Sequence, residues 1–154
     1  MKNINATIIT IGDELLIGQV IDTNSSWIAQ QLNRIGIAVK KRVAVGDDAE
    51  EMRNALDIEN DNTDVILITG GLGPTSDDIT KPFLCQYFTG KMVVNEGALE
   101  NVKRLYAKVY HKPVSEVHFK QAEVPDVCEV IQNPRGSAQG MIFQKVEPIF
   151  ISMP

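Results

Sequence analysis

The sequence predicts an α/β domain: a three-layer αβα sandwich built on a mostly parallel sheet. Three observations carry this. Short β-branched runs alternate with segments of helical apolar spacing from Ala6 to Tyr110. The runs are joined in a way that implies right-handed crossovers, with helices on both faces of the sheet. And the first three runs are each followed by a loop bearing glycine and aspartate: Gly12-Asp13-Glu14-Leu15, Val45-Gly46-Asp47-Asp48 and Gly70 to Asp78. In such sheets ligands bind at the carboxyl ends of the strands, where these three loops gather.

Taken in order, Ala6 to Ile11 is a β-branched run ended by Gly12 and reads as a buried strand. From Asn24 to Arg34, Ile28, Leu32 and Ile35 fall at helical spacing, and Gly36 is placed to stop the helix in a left-handed cap. Ile37 to Val45 is the second strand. Asp47-Asp48-Ala49-Glu50 opens a helix whose buried face is Met52, Ala55 and Leu56. Asp61 to Asp64 is a turn, and Val65 to Thr69 is the third strand. A helix from Pro82 to Gly90 follows the glycine-rich loop. A longer one from Glu96 to Tyr110 has Leu99, Val102, Leu105 and Val109 as its inner stripe. Val127 to Gln132, Met141 to Lys145 and Ile149 to Ser152 read as strands joined by Pro and Gly turns. There is no internal repeat, linker or low-complexity segment.

Composition narrows the class of function. With 154 residues, 44% hydrophobic and 23% charged, the chain forms one domain with a substantial core and needs no disulfide or structural metal. Its net charge of −5 argues against a sequence-independent nucleic-acid binder, which needs a dense basic surface. The short run Lys40-Lys41-Arg42 reads as a solvated strand face. Cys85 and Cys128 lack metal-ligand spacing and read as buried free thiols. Asp13 and Glu14 interrupt the only early apolar run, so no signal peptide is visible, and no segment approaches a membrane span. A cytoplasmic protein without a membrane partner is expected. Trp27 reads as core or subunit interface. His111 and His118 have no accompanying nucleophile motif and read as surface or packing residues.

The candidate site centres on Thr69-Gly70-Gly71-Leu72-Gly73-Pro74-Thr75-Ser76-Asp77-Asp78-Ile79-Thr80. Strand, glycine-rich loop and helix surround an anion with backbone N–H groups. Carboxylates on the same loop repel phosphate unless a cation lies between, which points to a metal-bridged phosphate. On this reading Asp77 or Asp78 holds Mg²⁺ or Mn²⁺. Gly70, Gly71 and Gly73 let the backbone approach the phosphates, with Gly12, Thr75 and Ser76 as further phosphate-side candidates. The plainer reading of Thr75 to Asp78 is a capping box. Asp47 either caps the next helix with Glu50 or serves the site. Glu14 is a metal ligand, a water-orienting base or a salt-bridged loop acid. Thr80 and Asn24 either contact a ligand or cap helices. Both the Walker A pattern and the G-x-G-x-x-G fingerprint are absent.

Three long motifs in fixed order, Gly12 to Gln19 with Asp22-Thr23-Asn24, Val45 to Asp48, and Gly70 to Thr80, resemble the N-terminal domain of the competence/damage-inducible protein CinA family. The resemblance continues through Lys120-Gln121-Ala122 and Val124-Pro125 to Asn133-Pro134. It implies the molybdopterin-binding-like fold, also seen in molybdopterin adenylyltransferases and some FAD synthases. It further implies a divalent-metal-dependent pyrophosphatase (Mg²⁺, Mn²⁺ or Co²⁺, with K⁺ as a possible monovalent helper) that cleaves ADP-ribose or a similar adenine diphosphate to AMP and a sugar phosphate. Asp47 and Asp78 match the aspartates tied to catalysis in the wider fold, and a homodimer is implied.

Two alternatives stand beside this. Adenylyl transfer to molybdopterin uses the same fold, but Leu72 and Ser76 stand where such enzymes resemble one another in Thr and Arg. A non-catalytic nucleotide- or pterin-binding module of a longer protein is the other. Longer family members carry a C-terminal amidase domain, and that activity is not expected of this chain. Two departures bear on the resemblance. Gly136-Ser137-Ala138-Gln139-Gly140 replaces a proline-bearing loop, so a less rigid loop is expected. The chain also stops at Ser152-Met153-Pro154, as a C-terminally truncated domain would.

Overall fold

The structure, a computed structural model, describes residues 3–76, 78–111, 114–144 and 146–154. In chain order the elements are β1 (Asn5–Ile11), α1 (Asp13–Leu16), α2 (Thr23–Arg34), β2 (Ala38–Val45), α3 (Ala49–Asn60), β3 (Val65–Thr69), α4 (Thr80–Tyr87), β4 (Met92–Val94) and α5 (Glu96–Leu105). A π-helical turn, Tyr106–Tyr110, extends α5; then come α6 (Glu116–Phe119), a 3₁₀ turn, β5 (Glu123–Pro125), β6 (Glu129–Ile131), β7 (Gly140–Gln144) and β8 (Ile149–Met153). The main sheet runs β2-β1-β3-β8-β7-β6. Its first three pairings are parallel and the last two antiparallel. A separate antiparallel pair, β4 with β5, lies apart from it.

Period-two alternation along β1 sorts its side chains onto two faces. Ile9 and Ile11 join Ile66, Ile68 and Phe150 in a core closed by Met52 and Leu56 of α3 and Phe83 and Leu84 of α4. Ala6 and Ile8 face the other way with Leu67, and Ile28, Ala29 and Leu32 of α2 pack on them. Sheet, α2 and the α3–α4 pair are therefore the three expected layers. On the α3 side Glu59, only 3% exposed, accepts a hydrogen bond from the Thr7 hydroxyl at 2.8 Å and pairs with Lys41 at 2.7 Å. The middle residue of the basic run thus anchors a buried acid.

Several expectations are corrected. The fourth helix starts at Thr80, not Pro82, and ends at Tyr87. Pro82 sits in the first turn, where a backbone N–H has no intrahelical partner to lose. The fifth helix gives way to π-helical winding at Tyr106. Leu99 is only half-buried there, while Ala98 is fully buried. Ile35 lies at the α2 C-cap, past the buried stripe, and is 72% exposed. Trp27 is 63% exposed and is not part of the core. The Val109 side chain and Lys145 lie outside the described residues. The short strands β4 and β5 and the helices α1 and α6 carry too few residues for a periodic signal.

Cys85 is buried and Cys128 half-buried, both as free thiols. Burial, with Asp126 adding to it, pushes the Cys85 thiol up. Burial likewise raises Cys128 to about 11. His118 contacts the Ser115 hydroxyl at 2.7 Å and packs against Tyr106, and His111 is exposed. The loop expected to loosen is instead clasped. Gln139, 4% exposed, accepts from the Asn133 amide at 2.7 Å and donates to the Ser137 carbonyl at 3.2 Å. The side-chain amide supplies hydrogen bonds in place of a proline's fixed dihedral.

Among the described residues no helix is long and apolar enough to cross a membrane.

Candidate functional site

The carboxyl ends of β2, β1, β3 and β8 form one edge, and the register aligns Ala44, Thr10, Thr69 and Met153 across it. Three open clefts follow this edge. The first, about 520 Å³, is lined by Asp13, Glu14, Ile17, Gln19, Asp47, Ser76 and Ile79. The second, about 150 Å³, shares Glu14 with the first and includes Thr10, Asp22, Asn24, Thr69 and Gly70. The third, about 210 Å³, shares Asn24 and Thr69 with the second.

The capping question at Asp47 has a definite answer. Asp48, not Asp47, caps α3, accepting from the Glu50 and Glu51 amides at 2.9 Å each. Glu51, not Glu50, reaches back, accepting from the Gly46 amide at 3.0 Å. Asp47 is thereby released to face Asp13. The Asp13 N–H donates to Asp47 Oδ2 and the Asp47 N–H donates to Asp13 Oδ1, both at 3.1 Å. These bonds use one oxygen of each carboxylate. Asp13, exposed, and Asp47, half-buried, thus line the largest of these three clefts together with Glu14.

Asp78 is placed differently. It does not cap α4, whose N-cap is Ile79 without a side-chain bond. Its Oδ2 accepts from the Thr75 amide at 2.9 Å and from the Thr75 hydroxyl at 2.5 Å. Burial alone would push this carboxyl up; the Thr75 hydroxyl and amide and the Gly73 amide outweigh it and hold it below the usual 3.8. Asp78 is folded onto its own loop, against Gly73, where a Cβ would stand 2.4 Å from Oδ2. Asp77 lies outside the described residues.

The glycines work as close-approach points. Gly70 has φ +102°, and a Cβ there would meet the Ile11 carbonyl oxygen at 2.1 Å. Such an approach is open only to glycine. Gly71 lies over Thr80, and its carbonyl accepts from the Thr80 amide at 3.2 Å. Thr80 is fully buried beneath this turn and lines none of the three clefts. Gly12, buried, donates its N–H to the Val45 carbonyl at 3.0 Å and carries the Glu14 carboxylate against it.

Asn24 does not cap α2. Asp22 does, accepting from the Ser25 amide at 2.9 Å, which leaves Asn24 exposed between the second and third clefts. Burial pushes the Asp22 carboxyl up, but the Ser25 hydroxyl and amide, the Thr10 hydroxyl and the Arg42 guanidinium hold it low. The structure therefore brings together Glu14, Asp47 and Ser76, and then Glu14, Asn24 and Gly70. It sets apart Thr80, and it turns Asp78 inward with Gly73 and Thr75. Thr10, Thr69 and Asp22 line the clefts without having been singled out by motif reading, which noted Asp13 only as part of its acidic loop. Only the strand register could have found the two threonines.

Carboxylate, hydroxyl and backbone oxygen are hard donors, suited to Mg²⁺ or Mn²⁺. Among the described residues no three His, Cys, Asp or Glu side chains converge as a ready-made metal cage. Mg²⁺ commonly takes one or two carboxylates and completes its shell with water and substrate phosphate. Asp13 and Asp47, tied to each other and with Glu14 nearby in the same cleft, fit that pattern.

Comparison with known proteins agrees with this architecture. The chain belongs to the family described as the probable molybdopterin binding domain, whose profile matches residues 7–154. Within it the chain is of the CinA type. It is 48% identical to a CinA-like protein of Flavobacterium psychrophilum over 149 residues, 97% of this chain and 36% of that one. The crystal structure of CinA from Thermoplasma acidophilum superposes with a TM-score of 0.86 at 31% identity, covering 99% of this chain and 89% of the other. The tungsten cofactor synthesizing protein MoaB from Pyrococcus furiosus shares the fold, with a TM-score of 0.60 at 20% identity over 100% of this chain and 83% of that one. The chain spans about a third of the length of the curated relatives it matches.

Proposed function

We propose that this domain is a divalent-metal-dependent pyrophosphatase that cleaves ADP-ribose or a related adenine diphosphate to AMP and a sugar phosphate. One observation carries the reading: the reciprocal Asp13–Asp47 exchange, with Glu14 beside it, on the wall of the largest cleft at the carboxyl edge. Asp13 and Asp47 are the residues that would hold the cation. Bound there, it would neutralise phosphate oxygens and make bound water a better nucleophile.

The chain's own residues do the rest. The Gly70–Gly71 turn brings backbone close to the diphosphate. The bond between Asp47 and Asp13 ties the β1 and β2 loops at a fixed separation, which orients the acceptors before substrate arrives. Glu14, exposed between two clefts, accepts a hydrogen bond from the attacking water and takes its proton. The water oxygen bonds to phosphorus and the bridging P–O bond breaks, giving AMP and ribose 5-phosphate. The product mixture thus contains the nucleotide and the sugar phosphate in equal amounts.

The test is incubation with ADP-ribose and Mg²⁺, Mn²⁺ or Co²⁺, with and without K⁺, following AMP by chromatography. Metal-dependent AMP that disappears with Asp47→Asn supports the reading. A folded chain that yields no AMP with any of the ions overturns it. The family's description as a probable molybdopterin binding domain supports a second reading, adenylyl transfer to molybdopterin. Incubation with ATP, Mg²⁺ and molybdopterin, watching for an adenylylated pterin, separates the two.

A further inference from the structure

The third cleft has no part in the chemistry above, yet it continues the same groove. It is lined by Asn24, Trp27, Ile28, Thr69, Met153 and Pro154. Strand register joins its floor to that of the second cleft: Thr10, which lines the second, is partner to Thr69, and Thr69 to Met153, across β1, β3 and β8. They lie on the α2 face, because Met153 packs with Ala6, Ile8 and Leu67. Ile28 of α2 packs inward there, and its neighbour Trp27 is left on the rim, 63% exposed.

Chemical character changes in one direction along the groove. At the β2 end stand acids, Asp13, Glu14 and Asp47. In the middle stand the exposed Asn24 and two carboxylates, Glu14 and Asp22, above the buried Thr10 and Thr69. At the β8 end stand an indole, an isoleucine and a methionine. From β2 to β8 is three interstrand spacings, roughly 14 Å, the length scale of an extended nucleoside diphosphate. Acid and metal suit a diphosphate, an amide and carboxylates suit a ribose diol, and a flat aromatic suits a base.

We propose that the Trp27 cleft is the base subsite: a purine stacks on the Trp27 indole, flanked by Ile28 and Met153, while its ribose lies over the second cleft beside the exposed Asn24. This rests on the nucleotide reading above for the identity of the ligand, but not on catalysis. Trp27 then sets selectivity for nucleotides over simple sugar phosphates and pyrophosphate. It acts by binding, so it moves KM and leaves kcat nearly unchanged.

Trp27 is the single tryptophan of the chain, so its emission reports on this cleft alone. The experiment is to titrate the protein with AMP, ribose 5-phosphate and pyrophosphate, each with Mg²⁺, reading tryptophan fluorescence and, in parallel, heat. Saturable quenching by AMP, with none from ribose 5-phosphate or pyrophosphate, is the expected result. Trp27→Ala should weaken AMP binding about tenfold, the loss of one base stack. Trp27→Phe should restore most of it, and ribose 5-phosphate affinity should not move. AMP heat without any fluorescence change, with Trp27→Ala binding as tightly as the parent, would overturn the proposal. So would emission that follows protein concentration and ignores AMP, which would give the Trp27 face to a second copy of the chain. Failure of the hydrolytic reading shows separately, as AMP binding at Trp27 without any cleavage of ADP-ribose.

Discussion

Asp47 and Asp78 stand in motifs of equal prominence, each on an acidic loop at the carboxyl end of a parallel strand, and the fold treats them differently. Asp47 reaches out of its loop to Asp13, 34 positions away along the chain. Asp78 turns into its own loop, to Thr75 three positions away. The difference comes from what else is available to cap a helix. Asp48 satisfies the first amides of α3, which frees Asp47 for a partner on another loop. In the glycine loop the Thr75 and Gly73 amides take the Asp78 carboxylate themselves. A carboxylate that bridges two loops presents itself to a cleft, whereas one that closes a turn shapes the loop that presents something else.

The harshest way to break that comparison is to remove the ground both loops stand on. Gly70→Ala places a Cβ 2.1 Å from the Ile11 carbonyl at a φ of +102°. Backbone against backbone has no flexible end to yield, so a loss of about 3 kcal/mol or more is expected. Urea denaturation measures it, and a midpoint unchanged from the parent would refute the close approach. Gly73→Ala meets first the movable Asp78 carboxylate and should cost far less, about 1 kcal/mol.

Next in size is the contrast between the two acids. Asp47→Asn keeps an acceptor for the Asp13 amide but removes a charge from the cleft. Turnover of ADP-ribose should fall about 10²–10³-fold, the scale for loss of one preorganised electrostatic group, with melting temperature nearly constant. Asp78→Asn should act through the loop, raising KM more than it lowers kcat and costing about 1 kcal/mol in stability. Steady-state kinetics on the two variants decide it: equal losses of kcat would place both carboxylates at the reacting phosphate.

Most of the fold was legible because it is periodic. The β-branched runs at Ala6–Ile11 and Val65–Thr69 and the Met52–Leu56 stripe carry a repeat that needs no tertiary knowledge. The acidic character of the edge was legible too, since parallel topology alone gathers those loops. What escaped was pairwise choice. Nothing in the Asp47-Asp48 doublet says which acid caps, because either oxygen could reach the amides that follow. Thr80 sits in a motif of polar residues, yet the positive-φ turn above it seals it from solvent. Thr10 and Thr69 become neighbours only through register, and register is a property of two strands at once.

The smallest effect isolates the bond that holds Asp78 inward. Its carboxyl lies below its usual value in the folded chain because the Thr75 hydroxyl and amide and the Gly73 amide prefer the charged form. A group depressed in this way contributes stability that is fully present above the unfolded value near 3.8 and is lost as pH falls through the lower folded value. Thr75→Ala removes the hydroxyl donor, so the folded value should move up toward 3.8. The acid-side decline in stability should then flatten, with a difference from the parent of a few tenths of a kcal/mol at neutral pH, since the site is largely open to water. Carbon-detected NMR of the Asp78 carboxyl gives the titration directly. An unmoved titration in Thr75→Ala would mean that the backbone amides of the glycine loop hold this carboxylate without help, which would tie Asp78 to the backbone conformation of the loop, with its side chains having no share in it.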